Sequence, residues 1–276
     1  MLTREKSMMY TTIFSLMLGL LATCGLQAAN PEAELAVIRK RFNGPSVRVQ
    51  LLQESEGTLV EVKGRYNVFD PYTGKQLDAA YLSSSYYMYP TRDGIKWGTE
   101  FPGIYQLLIV PDKYDTTVLI GGTEYHGIVY MYQINNILGA VNETSLDDFV
   151  MSVLSMALPT SVKHKEALSA AAIALRTQVI RQIEQNKNAY WEIKAQTFNY
   201  RGSSVERKDD AFCHAVRNTK GMIAVKNGLP LDIQWFAVHQ PGKAPFSEME
   251  QMAGAGKDAR AILETLFPGA AISKVA

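Results

Sequence analysis

The chain has 276 residues, 47% of them hydrophobic and 20% charged; that is enough for one large domain or two small ones, and too apolar for a disordered chain. Its 28 basic and 27 acidic side chains leave a net charge of +1, which excludes a general attraction to nucleic acid or to anionic membranes. Any ligand has to be recognised by a local site.

Residues 1–29 have the composition of an export signal. Arg4 and Lys6 precede an apolar stretch from Met8 to Leu26, and Gln27, Ala28 and Ala29 follow it. Ala28 or Ala29 can end an ordinary signal, while Leu21-Ala22-Thr23-Cys24 looks like a lipoprotein box. An uncleaved anchor would also leave the domain outside. The expected location is the periplasm or cell envelope, with membrane contact only through the signal or a lipid anchor. With Cys24 in the signal, Cys213 stands alone and cannot form an internal disulfide. Cys213 and His214 are too few ligands for a metal site, and no other motif calls for a metal or cofactor.

Asn30 to Lys40 reads as a linker or small helix. From Ser46 the period changes to two: Val47, Val49 and Leu51 alternate with Arg48 and Gln50, and Val60 and Val62 alternate with Leu59, Glu61 and Lys63, so both runs are expected as strands. Asp70 to Gly74 is turn chemistry, and further extended runs follow at Tyr105 to Val110 and Thr117 to Ile120. Residues 30–124 thus form a strand-rich N-terminal region. Within it, Tyr81, Tyr86, Tyr87, Tyr89 and Trp97 crowd one stretch. Such rings can stack on sugars; the favoured reading is a strand with aromatics on both faces, one of them in the core.

Ser145 to Val179 reads as two helices hinged at Pro159. Ser145 caps the first, Asp148 stands three residues on as in a capping box, and Leu146, Phe149, Val150, Val153 and Leu154 give one apolar face. The second helix runs from about Lys163 to Ile183, and from Ala167 to Leu175 its only polar residue is Ser169, so it belongs inside the domain. Arg176 at the end of that run must meet a carboxylate or line a cleft; the expected partner is an acid of the first helix such as Asp148. Tyr190 to Tyr200 returns to strand character. Gly221 to Val225 and Leu231 to Val238 read as a hairpin turned at Asn227-Gly228, and a short helix follows at Ala259 to Phe267. The fold class is α+β or mixed α/β, with a strand-rich N-terminal part, a buried helical pair and a C-terminal hairpin region.

These residues also carry a resemblance. Asp147, Asp148 and Phe149, then Pro159, then Glu166, Ala167 and Leu168, an alanine-rich run, and Arg176 and Thr177 resemble the core of the SpoIID/LytB domain. Upstream, Tyr125 to Gly127 with Val141 and Asn142 look like that family's Y-x-G strand and VN turn. Downstream, Tyr200 to Gly202, Ala215 to Gly221 and Asn227 to Leu231 look like its later segments. The SpoIID-like region is therefore 125–276, packed as one unit with the part before it. Members resemble peptidoglycan lytic transglycosylases, whose acid is a glutamate two residues before the proline; here that position is Ala157. The lysine and glutamine of the family's second helix become Ser169 and Ala171, and its late CGG motif is not legible around His239, Gln240 and Pro241.

The resemblance implies an exported protein that binds peptidoglycan glycan strands in wall remodelling, including at a division septum, alongside other cell-wall or septal proteins. The residues put forward for glycan contact are Asp148, Ser169, Arg176, Thr177, Tyr200 and Trp235. No catalytic residue can be assigned. Of the nearby acids, Asp147, Asp148 and Glu166 lie in first helical turns, where the dipole favours the anion over a proton donor, and Glu143 is the fourth. Two alternatives stay open: an active lytic transglycosylase with a relocated acid, and an envelope scaffold that binds no ligand.

Overall fold

The computed structural model describes residues 36, 39–42, 44–159, 161–203, 210–234 and 243–275. The signal-like segment, Cys24, Trp235 and the His239 to Pro241 stretch lie outside the described residues. Among the described residues, sixteen strands in three sheets and six α-helices make a mixed α+β fold. The N-terminal part holds β1 (Ser46–Ser55), β2 (Thr58–Lys63), β3 (Tyr66–Phe69), β4 (Gln76–Ala80), β5 (Ser84–Thr91), β6 (Gly94–Trp97), β7 (Thr99–Pro102), β8 (Gln106–Pro111), β9 (Thr117–Ile120) and β10 (Thr123–Tyr125). Then come β11 (Ile128–Ile134), β12 (Ile137–Ser145), α1 (Leu146–Ala157), α2 (Lys165–Gln185), β13 (Ile193–Lys194), α3 (Ala195–Phe198) and α4 (Asp210–Asn218). The chain continues through β14 (Met222–Lys226), β15 (Leu229–Pro230), α5 (Lys243–Gly254), α6 (Ala259–Leu266) and β16 (Ala271–Lys274).

The large sheet has the order β13-β1-β12-β11-β8-β3-β4, antiparallel except where β13 runs parallel to β1. A second antiparallel sheet, β10-β9-β2-β5-β6-β7, shares its core: Val60, Val62, Met88, Trp97 and Val118 from this sheet join Val49, Ile109, Val129, Met131 and Ala140 from the large one. The alternation read in β2 is the packing observed, with Val60 and Val62 inward and Leu59 and Lys63 in solvent. The large sheet is covered on its other face too, where Leu108, Val110, Ile128, Tyr130, Tyr132 and Val141 pack with Phe69 and Trp191. The aromatic stretch is not one strand with an aromatic core face: it forms β5 and β6, the buried residue of β5 is Met88, Tyr81, Tyr86 and Tyr87 are exposed, and the aromatic that enters the core is Trp97 on β6, its indole N–H donating to the Val60 carbonyl at 3.1 Å.

Three further local expectations are corrected. Tyr190 to Tyr200 is strand for two residues only, because β13 pairs at Val49 and Gln50 and the chain then coils into α3, ended by Asn199 in the left-handed region at φ 52°. The hairpin's return strand is β15, paired at Pro230 and Leu229, and Leu231 to Gln234 are not strand. The capping box is half formed: Ser145 Oγ accepts the Asp148 amide at 3.0 Å, but the Asp148 carboxylate accepts instead from the Tyr114 hydroxyl at 2.8 Å.

Candidate functional site

β12 runs without a loop into α1, whose apolar face, Leu146, Phe149, Val150, Val153 and Leu154, is buried in the core. The helix stops because Leu158 precedes a proline, which disfavours helical backbone there; Leu158 is extended at ψ 150°, and its amide donates the last bond to Leu154. Beyond Pro159, α2 begins at Lys165. From Ala167 to Ile180 nearly every residue of α2 is buried, as its composition requires.

Arg176 is fully buried. One guanidinium nitrogen donates to Asp147 Oδ1 at 2.8 Å and the other to the Thr219 carbonyl at 2.8 Å, with longer bonds to the Val216 and Met222 carbonyls at 3.4 and 3.3 Å. The cation thus closes the C-terminal end of α4, whose last carbonyls have no partner within the helix. Burial pulls the guanidinium below its usual value, and the Asp147 carboxylate opposes that. The acidic partner on the first helix is therefore Asp147, not Asp148: neighbouring helical residues point about 100° apart, and it is Asp147 that faces α2. Thr177 is closed in as well, donating to the Ile173 carbonyl at 2.6 Å and accepting the Ala224 amide at 2.8 Å, which ties α2 to β14.

Tyr200 belongs to a second clasp. Its hydroxyl donates to Asn142 Oδ1 at 2.9 Å, and the Asn142 amide donates to the carbonyls of His126 and Ile128 at 2.8 and 3.2 Å. The two Y-x-G segments meet there. Gly127 and Gly202 have φ of +90° and +70°, and a Cβ on either would lie 2.2 Å from the Glu143 carbonyl oxygen or 2.0 Å from that of Glu124. The Gly202 carbonyl in turn accepts the Ser152 hydroxyl of α1 at 2.6 Å. Glycine is needed at both positions because backbone passes directly over them.

The residues put forward for glycan contact are thus not gathered in one place. Arg176, Thr177 and Tyr200 have polar atoms engaged inside the protein, Ser169 is half-buried on α2, and Trp235 is outside the described residues. Asp148 lines a slot of about 220 Å³ with Lys113, Tyr114 and Ile128, where the Tyr114 ring stacks on His126 at 5.2 Å. Ala157 is nine positions on from Asp148, about 14 Å along the helix.

A larger cleft, about 640 Å³, opens beside Pro159. Pro159, Ser161, Lys163 and His164 line it from the hinge, and Phe246, Ser247, Glu250 and Gln251 from α5. Ala157, the residue two before the proline, is half-buried and brings no proton donor. The other acids considered from the sequence are occupied elsewhere. Glu143 is buried and accepts from Arg39, Ser46 and the Tyr130 hydroxyl, and its hydrogen bond holds Arg39 above the usual arginine value. Glu166 accepts the Ala259 amide at 2.9 Å. The carboxylate in the cleft is Glu250, whose oxygens accept the His164 and Lys163 amides at 3.2 and 3.4 Å. Sequence reasoning missed it, although Phe246, Met249 and Met252 recur at helical spacing around it. Among the described residues, no group of three His, Cys, Asp or Glu side chains could hold a metal ion, and no helix is long and apolar enough to cross a membrane.

A model of the SpoIID family, described as a stage II sporulation protein, matches residues 135–225, which run from β12 through both hinged helices to β14. An uncharacterized protein of Chlamydia muridarum is 30% identical over 273 residues, 97% of this chain and 91% of that one. The chain belongs to the SpoIID family. A Chlamydia pneumoniae relative, also uncharacterized, is 29% identical over 81% of this chain and 79% of its own length. A Brachyspira hyodysenteriae relative, uncharacterized as well, is 27% identical over 66% of this chain and 49% of its own. This SpoIID member is divergent at the site: α5, with Glu250, lies beyond the matched segment. Of the clasps, Arg176, Thr177, Asn142 and Tyr200 lie within it.

Proposed function

We propose that this SpoIID protein is exported to the cell envelope and binds peptidoglycan glycan strands in the cleft beside Pro159 without cleaving them. Family membership supports a role in the cell wall, and the signal-like start supports export. The observation that carries the reading is a sizeable cleft beside Pro159 at the α1–α2 hinge, two residues on from Ala157, the position at which the family's proton donor would stand. Cleavage of a glycosidic bond needs an acid for the leaving oxygen, and its loss costs about 10² to 10⁴ in rate. Binding needs only the cleft. The protein would act in wall remodelling, including at a division septum, in concert with other wall proteins.

One observation favours a second reading, an active lytic transglycosylase with a relocated acid: Glu250 brings a carboxylate into the same cleft. A pull-down on insoluble sacculi, with mass spectrometry of the soluble products, separates the two. Retention without anhydro-muropeptides supports binding alone. Anhydro products from the unmodified protein would overturn it, and absence of retention would leave an envelope scaffold.

A further inference from the structure

Resting on that reading, we propose that Glu250 is the residue by which the cleft grips the glycan, accepting hydrogen bonds from the hydroxyl and acetamido N–H groups of an N-acetylated hexosamine. The argument starts from α5. Ser247, Glu250, Gln251 and Gly254 follow the spacing i, i+3, i+4, i+7 and all line the cleft, so they form one stripe along the helix. A polar stripe ordinarily faces bulk water. Here it faces the hinge of the same molecule across a space within the range of about 300 to 1,000 Å³ typical of ligand sites.

The chemistry of the stripe suits a neutral sugar. Phe246, buried at the base, and Pro159 offer apolar surface to the C–H face of a ring. Gln251, Lys163 and Ser161 can donate to hydroxyl and acetyl oxygens. The carboxylate is held but lightly satisfied. Its bonds to the Lys163 and His164 amides, 3.4 and 3.2 Å, are longer than the roughly 2.7 to 2.9 Å of strong charge-assisted bonds, and a carboxylate has about four acceptor positions. Room for the imidazole is built in, since a Cβ on Gly254 would lie 3.1 Å from His164 Nε2. A cleft that needs no proton donor can still hold its ligand.

The test titrates the purified protein with a soluble tetramer of N-acetylglucosamine and measures sacculus retention beside it. Glu250→Ala should weaken tetramer binding about 10- to 100-fold, the range for a hydrogen bond to a charged group. Gln251→Ala, at an exposed position, should weaken it about 2- to 10-fold with melting unchanged. Glu166→Ala is the control, because Glu166 also tethers a backbone amide of the C-terminal region but does not line the cleft; it should bind as the unmodified protein does. Wild-type retention with undiminished tetramer binding by Glu250→Ala would overturn the role of Glu250 and leave the proposed function standing. Equal losses in Glu250→Ala and Glu166→Ala would reduce Glu250 to a structural tether. An unmodified protein that retains no sacculi would overturn the proposed function itself, and Glu250's role with it.

Discussion

Replacing Arg176 by methionine tests the account of the helical pair most directly. The substitution keeps most of the aliphatic volume and removes the guanidinium. Two short charge-assisted bonds disappear, to Asp147 Oδ1 and to the Thr219 carbonyl, both 2.8 Å; at about 1.5 to 3 kcal/mol each they sum to about 3 to 6 kcal/mol. Against this, the arginine carries its own cost: it is fully buried, and its Nε has no partner among the described residues. Removing it recovers part of that desolvation, which places the net loss near the lower end, about 3 kcal/mol. In a protein of this size that lowers Tm by about 6 to 12 °C. Asp147→Asn should cost less, about 1 to 3 kcal/mol, because the asparagine oxygen can still accept from the buried guanidinium while the charge that offsets its burial is gone. Urea unfolding of both single variants and the double gives the coupling, expected at about 1 to 3 kcal/mol. If Arg176→Met melts within about 1 °C of the wild type, the guanidinium is not holding α1, α2 and α4 together and the clasp described above is wrong.

Gly202→Ala should destabilise by more than about 3 kcal/mol, since its Cβ would enter the Glu124 carbonyl while φ stays positive; soluble, cooperatively melting protein would contradict the backbone crossing. Thr117→Val tests pH dependence: the Thr117 hydroxyl, with Lys63 adding to it, holds Glu124 below the usual carboxylate range. A depressed acid stabilises above its unfolded pKa, about 4.3, and that contribution is lost as pH falls through the lower folded value, so the stability difference between wild type and variant should shrink on acidification below pH ~4; a constant difference in unfolding experiments would refute the assignment. Ala157→Glu should not restore cleavage, because Ser169 and Ala171 replace the rest of the family's site and an acid without its positioning shell is poorly tuned; anhydro-muropeptides from this variant would show that one missing donor had silenced an intact cleft. An alkaline phosphatase fusion at about Asn30 should be active outside the cytoplasm, and loss of palmitate labelling in Cys24→Ala would identify the lipoprotein route.

The parts of the fold that could be read from the chain are those whose environment is one-sided. β2 alternates because one face meets water, and α1 shows its stripe because Asp147 and Asp148 lie off it. β11 and β12 are buried on both faces, so their runs of Ile, Val, Tyr and Ala carry no period. Pro159 marked the hinge correctly. The partner of Arg176 could be narrowed to the first helix but not to Asp147, because the choice between adjacent acids depends on how α1 and α2 cross. Tyr200 reads from its motif as a glycan contact, yet its hydroxyl is used by Asn142, 58 residues earlier. Glu250 was invisible for the same kind of reason: nothing local connects it to the Lys163 and His164 amides.

The placement of β1 sets the order in which this protein can be made. Its neighbours in the large sheet are β12 and β13, so Ser46 bonds Glu143 across 97 residues and Arg48 bonds Glu192 across 144. Closing such long loops has to precede the contacts that repay it, which slows folding. A chain emerging from its N-terminus therefore carries an unpaired first strand until β12, and then β13, has been synthesised.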